Sequence, residues 1–156
     1  MFTARIAALK VGGNFDRAVD QGPVNSKMQY DKILGYIARG RQEGAAVHLG
    51  GGPDADASRG SGGKGYYVEP TIFTNVMPDM AITREENFGP VVTVAKFKTE
   101  AEVVALANDT TYGLAGAVHT KDYARARLGR ECGKAVLENY TEVKAVYLNT
   151  GVAALQ

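Results

Sequence analysis

The chain has 156 residues, with 18 basic and 17 acidic side chains for a net charge of +1, so nothing in its electrostatics favours nucleic acid or an anionic membrane surface as a partner. Hydrophobic content of 45% and charged content of 22% are those of a soluble globular protein, and no apolar run approaches the ~20 residues of a membrane span. The single cysteine, Cys132, excludes an internal disulfide framework and suits a reducing compartment.

In chain order, residues 2–9 read as the end of a helix closed by Gly12-Gly13. No charged-then-apolar targeting signal opens the chain, which starts as if in mid-helix. Asn25 or Ser26 is the expected cap of a second helix, because Tyr30, Ile33, Leu34 and Ile37 recur at i, i+3, i+4 and i+7. Arg39 and Arg41 lie in its last turns, where cations complement the helix dipole, and Gly44 stops it. A short strand is expected over 45–49, and a loop rich in Gly, Asp and Ser over 50–65. Residues 66–68 read as extended, and Pro70 suits a sheet edge better than a central strand.

Residues 91–97 have a buried-strand pattern. Thr99-Glu100-Ala101-Glu102 has capping-box spacing and opens a helix to about 107. Tyr112-Gly113 turns into a second strand, 114–119, and helix resumes from Lys121. Strand, helix, strand, helix at this spacing predicts an α/β unit with a parallel sheet and a right-handed crossover. A last, partly β-branched segment covers 140–148.

Several motifs read as structure rather than chemistry. Gly60, Gly62 and Gly65 match G-x-G-x-x-G, but phosphate cradling needs that motif to open a helix. Tyr66-Tyr67-Val68-Glu69-Pro70 does not open one, so the expectation is a surface loop. Cys132 has Arg130 and Lys134 nearby but neither His48 nor His119, and a thiol without an activating base reads as a packed hydrophobe. The two histidines form no metal-ligand spacing. Two Asn-x-Thr matches, at Asn108 and Asn139, read as chance without a secretory signal.

Thr83-Arg84-Glu85-Glu86-Asn87-Phe88-Gly89-Pro90 is different, because it sets a carboxylate and an aromatic ring two residues apart at a Gly-Pro corner. Three more segments accompany it: Gln21-Gly22-Pro23-Val24 through Ile37, Gly65 through Phe73, and Asn108 through Ala115. Together, in this order, the four resemble the C-terminal part of the aldehyde dehydrogenase superfamily, whose pattern nearly all of residues 1–127 follows. The resemblance implies an α/β fold: the parallel-sheet catalytic-domain portion of an aldehyde dehydrogenase (residues 1–139), then a C-terminal oligomerisation strand and tail (140–156).

It further implies NAD(P)-dependent oxidation of a small-molecule aldehyde to a carboxylic acid by a homo-oligomer, in cytoplasm or mitochondrion. Glu86 matches the carboxylate that accepts hydrogen bonds from the nicotinamide ribose, and Phe88 the ring packed near the nicotinamide. Gln29 and Lys32 match positions on the ribose-phosphate side. By the same match the nucleophilic cysteine, the general-base glutamate and the Rossmann-like portion have no counterpart here, so no catalytic residue is assigned. The family pattern also breaks between Arg127 and Gly129, where a few dozen residues are missing. The expectation is a truncated, inactive chain, the alternatives being a non-catalytic module that pairs with full-length subunits or an incomplete gene model.

Overall fold

The computed structural model describes residues 2–60, 62 and 65–113. They fall in two compact units, residues 1–96 and 97–156. The first contains helix α1 (Phe2–Ala7), helix α2 (Lys27–Gln42), strand β1 (Ala46–Leu49), helix α3 (Ala55–Gly60), strand β2 (Thr71–Thr74), helix α4 (Ala81–Arg84) and strand β3 (Val91–Thr93). Among the described residues the second contains helix α5 (Glu100–Asn108).

The first unit is built on α2. Ser26 caps it, its backbone extended and its hydroxyl accepting from the Gln29 N–H, which satisfies one of the orphan donors of the first turn. Gly44, at φ +97°, follows the last turn. The predicted apolar stripe is real: Ile33 and Ile37 are buried, and Tyr30 and Leu34 pack against the same cluster. That cluster also holds Ala45, Val68, Phe73, Met80 and Ile82. Phe73 is wholly shielded from solvent, and burying a side chain of its kind contributes about 1.5–3 kcal/mol.

The sheet has the order β1-β2-β3, with β1 antiparallel and β2–β3 parallel. The expected α/β character holds, with an antiparallel strand added at one side. The central strand β2 was not predicted. Residues 71–74 are few, show no alternation and follow Pro70, yet Thr71, Ile72 and Phe73 are all buried. Pro70 sits just ahead of the strand, where its missing donor costs no ladder bond. The Thr71 hydroxyl accepts from the Gly51 N–H and donates to the Glu69 carbonyl, which makes its burial tolerable.

The extended stretch expected over 66–68 pairs with the 52–54 segment through an isolated antiparallel bridge rather than forming a strand: Asp54 N donates to Tyr67 O and Glu69 N to Gly52 O. Two further expectations need correction. The 50–65 stretch is not all loop, because Asp54 accepts from the Ala57 N–H and starts α3. The strand expected over 91–97 is shorter, although Val94 N extends its ladder by bonding Phe73 O. It is not buried either, since Val92 and Val94 are 37% and 38% exposed: apolar composition without a second covering face mimics a buried run.

In the second unit Thr99 caps α5 as expected, accepting from the Glu102 N–H. The Glu102 carboxylate reaches back to the Lys98 N–H, one residue earlier than an ideal capping box. The expected elements at 114–119, from Lys121 and at 140–148, together with Cys132 and the break at 127–129, lie outside the described residues.

Phe73→Ala should lower the unfolding free energy by about 3–5 kcal/mol, measured by urea denaturation. A loss below ~1 kcal/mol would show that Phe73 is not the centre of this core.

Candidate functional site

One stripe of α2 carries the corner at residues 81–89. Gln29, Ile33, Tyr36 and Gly40 recur at i, i+4, i+7 and i+11, and so share a face. The Gln29 Nε2 donates to the Phe88 carbonyl at 2.6 Å. Ile33 packs so closely under Gly89 that a Cβ there would lie 2.6 Å from its Cδ1, so only glycine fits. The Tyr36 hydroxyl donates to one Glu85 oxygen at 2.8 Å, and Arg39 Nη1 to the other at 3.0 Å. Beneath Gly40 lie Ile82 and Phe73.

α4 is fixed to the same helix. Its cap residue, Met80, makes no side-chain cap bond. Glu43 supplies one instead, accepting from the Ala81 N–H at 2.8 Å and from Arg39 Nε at 2.9 Å, a carboxylate at the positive end of a helix. The hydrogen bond to Glu43, with the charges of Glu43 and Glu85, raises the Arg39 guanidinium above the ordinary arginine value.

An open cleft of about 410 Å³ lies against the corner, lined by Val24, Gln29, Asn87, Phe88 and Gly89. Two predicted site residues therefore meet there: Gln29 holds the Phe88 backbone while the Phe88 ring is 73% exposed. Glu86 is exposed but is not among the residues lining the cleft. Lys32 is also exposed and outside the lining; its ammonium lies 5.8 Å from the centroid of the Tyr36 ring.

Sequence reasoning missed Tyr36, Arg39, Glu85 and Asn87. The signal for Tyr36 was the 29–33–36–40 spacing, while Arg39 was masked because it already had a role against the helix dipole. Asn87 gave none. Both polar atoms of its side chain are buried without a partner among the described residues.

The remaining candidates stay apart. Gly60 ends α3 and Gly65 leads into extended chain, so the glycine motif opens no helix. His48 contacts the Thr3 hydroxyl at 3.1 Å, and no group of His, Cys, Asp and Glu suited to a metal occurs among the described residues. A second hollow of about 650 Å³, between residues 10–19 and 54–57, is lined by none of the predicted site residues.

Residues 1–128 match the sequence model of the aldehyde dehydrogenase family. The chain belongs to that family. Aldehyde dehydrogenases similar to it include one from Agaricus bisporus, 41% identical over 180 residues that cover 95% of this chain and 35% of the relative. The human mitochondrial aldehyde dehydrogenase is 41% identical, covering 92% and 32%. The fold agrees: betaine aldehyde dehydrogenase of Staphylococcus aureus, solved in complex with NAD+, superposes with a TM-score of 0.74 at 41% identity, covering 83% of this chain and 25% of that one. Aldehyde dehydrogenase from Bartonella henselae gives 0.76 at 41% identity, covering 82% and 26%. The chain spans about a third of the length of the curated relatives it matches.

Replacing the Asn87 amide removes a buried donor and acceptor, unpaired among the described residues, that cost about 1–3 kcal/mol. Asn87→Leu should therefore raise the unfolding free energy by roughly 1 kcal/mol. A decrease of that size in urea denaturation would mean that the amide is satisfied.

Proposed function

We propose that this chain carries the cofactor-holding corner of an NAD(P)-dependent aldehyde dehydrogenase, which oxidises an aldehyde to a carboxylic acid. Bound there, the cofactor would accept the hydride, and the residues on the page would only hold it. The observation that carries the reading is the Gln29–Phe88 bond. It ties down the backbone of an aromatic residue whose ring is 73% exposed and so leaves that ring presented to a ligand.

A flat exposed ring, an exposed carboxylate two residues away and an open cleft beside them suit a ligand with an aromatic ring and a diol. Glu86 would accept hydrogen bonds from the ribose hydroxyls, and bonds to a charged acceptor are the stronger kind. Phe88 would lie against the nicotinamide ring. Gln29 and Lys32 would face the ribose-phosphate side, Lys32 as a point charge on a flexible stem able to leave the Tyr36 ring. NAD is favoured over NADP by the NAD+ complex of the S. aureus relative.

The 156 residues taken alone are proposed not to turn over. The reaction class needs an activated thiolate, and Cys132 has no activating base near it in sequence. A shortening between Arg127 and Gly129 is supported by two findings. The family match ends at residue 128, and the alignment with the Agaricus relative runs over 180 positions although the chain has only 156 residues, so that relative has positions this chain lacks. The proposed division remains 1–139 for the catalytic-domain portion and 140–156 for a subunit-pairing strand and tail, in a protein of the cytoplasm or mitochondrion.

Calorimetric titration of the chain with NAD+ tests the corner. Glu86→Gln should weaken binding at least tenfold, since a bond to a charged group is worth about 1.5–3 kcal/mol. Unchanged affinity would overturn Glu86 as the ribose acceptor. With NAD+ and a simple aldehyde, no growth of reduced cofactor absorbance is expected, and measurable turnover would refute the inactivity.

A further inference from the structure

We propose that Glu85 is a positioning residue, which sets the direction of Glu86 and Phe88 through its two bonds to α2; this rests on reading the corner as a cofactor grip. Glu85 has an extended backbone, φ −100° and ψ 153°. Successive side chains of an extended segment point to opposite sides. The Glu85 carboxylate is drawn toward α2, one oxygen taken by Tyr36 and the other by Arg39. Glu86 is thereby turned away from the helix, into solvent. Three residues later in the corner, Gln29 takes the Phe88 carbonyl, and Gly89 sits on Ile33. The corner is thus pinned at both ends by one helix, with the exposed Glu86 between the two attachments.

The two acidic neighbours consequently divide the work: one carboxylate is spent on the protein, the other is left for a ligand. Stability alone does not account for Glu85. Its side chain is 47% exposed and that of Arg39 54%, and pairs so exposed contribute little to folding. What two donors on two oxygens do supply is orientation, because they fix both the direction and the rotation of the carboxylate. Tyr36 also receives the Lys32 ammonium over its ring, 5.8 Å from the centroid.

The test uses the 15N-labelled chain, free and titrated with NAD+, as wild type, Glu85→Ala, Glu85→Gln and Tyr36→Phe. In the free protein, Glu85→Ala should move the amide signals of residues 86–89 and leave those of Ile72 and Phe73 in place, with an unchanged thermal midpoint. Its NAD+ affinity should fall roughly threefold to tenfold. Glu85→Gln, which keeps an oxygen for Tyr36, and Tyr36→Phe, which keeps Arg39, should each fall between. Wild-type signals at 86–89 in Glu85→Ala would overturn the proposal, and so would core and corner signals shifting together, which would mark a general structural role. If NAD+ moves no signal at 86–89 in the wild type, the cofactor reading fails, while the ligand-free spectra still decide what Glu85 does.

Discussion

The burial of Ile33 and Ile37 of α2 against Phe73 and Ile82 is the constraint from which the rest of the first unit follows. These side chains are at most a few per cent exposed, and their removal from water supplies the stabilisation that none of the polar contacts at the surface can. Once that face is fixed, Gln29 and Tyr36 on its flank have no freedom over what they meet. They meet the corner, because Ile82 enters the core from α4 and Gly89 closes over Ile33.

The division of labour is one of magnitude. Half-exposed hydrogen bonds and ion pairs contribute about 0–1 kcal/mol each, while each buried side chain contributes several times that. The Tyr36–Glu85–Arg39 and Gln29–Phe88 contacts therefore direct rather than stabilise. They decide which side chains face the protein and which face outward, on a scaffold that would persist without them. An exposed aromatic ring and an exposed carboxylate at a rigid corner are the outcome, and such a corner presents groups to a ligand without having to order itself first. In the neighbouring Asn87 this packing has a cost, since both polar atoms of its amide are buried without a partner among the described residues.

Much of this was legible in the sequence, and the misses have physical causes. The helix from Lys27 was readable because its cap and 3.6-residue period agree, and period and cap are local. Glu86, Phe88, Gln29 and Lys32 came from resemblance rather than from periodicity, and two of the four, Gln29 and Phe88, meet at one cleft. Strand β2 was hidden because four residues after a proline carry no period, and its burial comes from partners on both sides that are remote in sequence. Glu85 carries no local signal because its donors lie 49 and 46 residues away. Tertiary pairing of that kind leaves no trace in a single chain.

The chain belongs to the aldehyde dehydrogenase family, and the corner is the proposed place where it would hold NAD+. Hydrogen–deuterium exchange of the wild-type chain with and without NAD+ puts the two together most directly. Exchange is expected to slow over residues 85–91 and the first turns of α2, with β2 unaffected. Protection confined to the hollow between residues 10–19 and 54–57, or no protection at all, would contradict the corner as the place where cofactor is held.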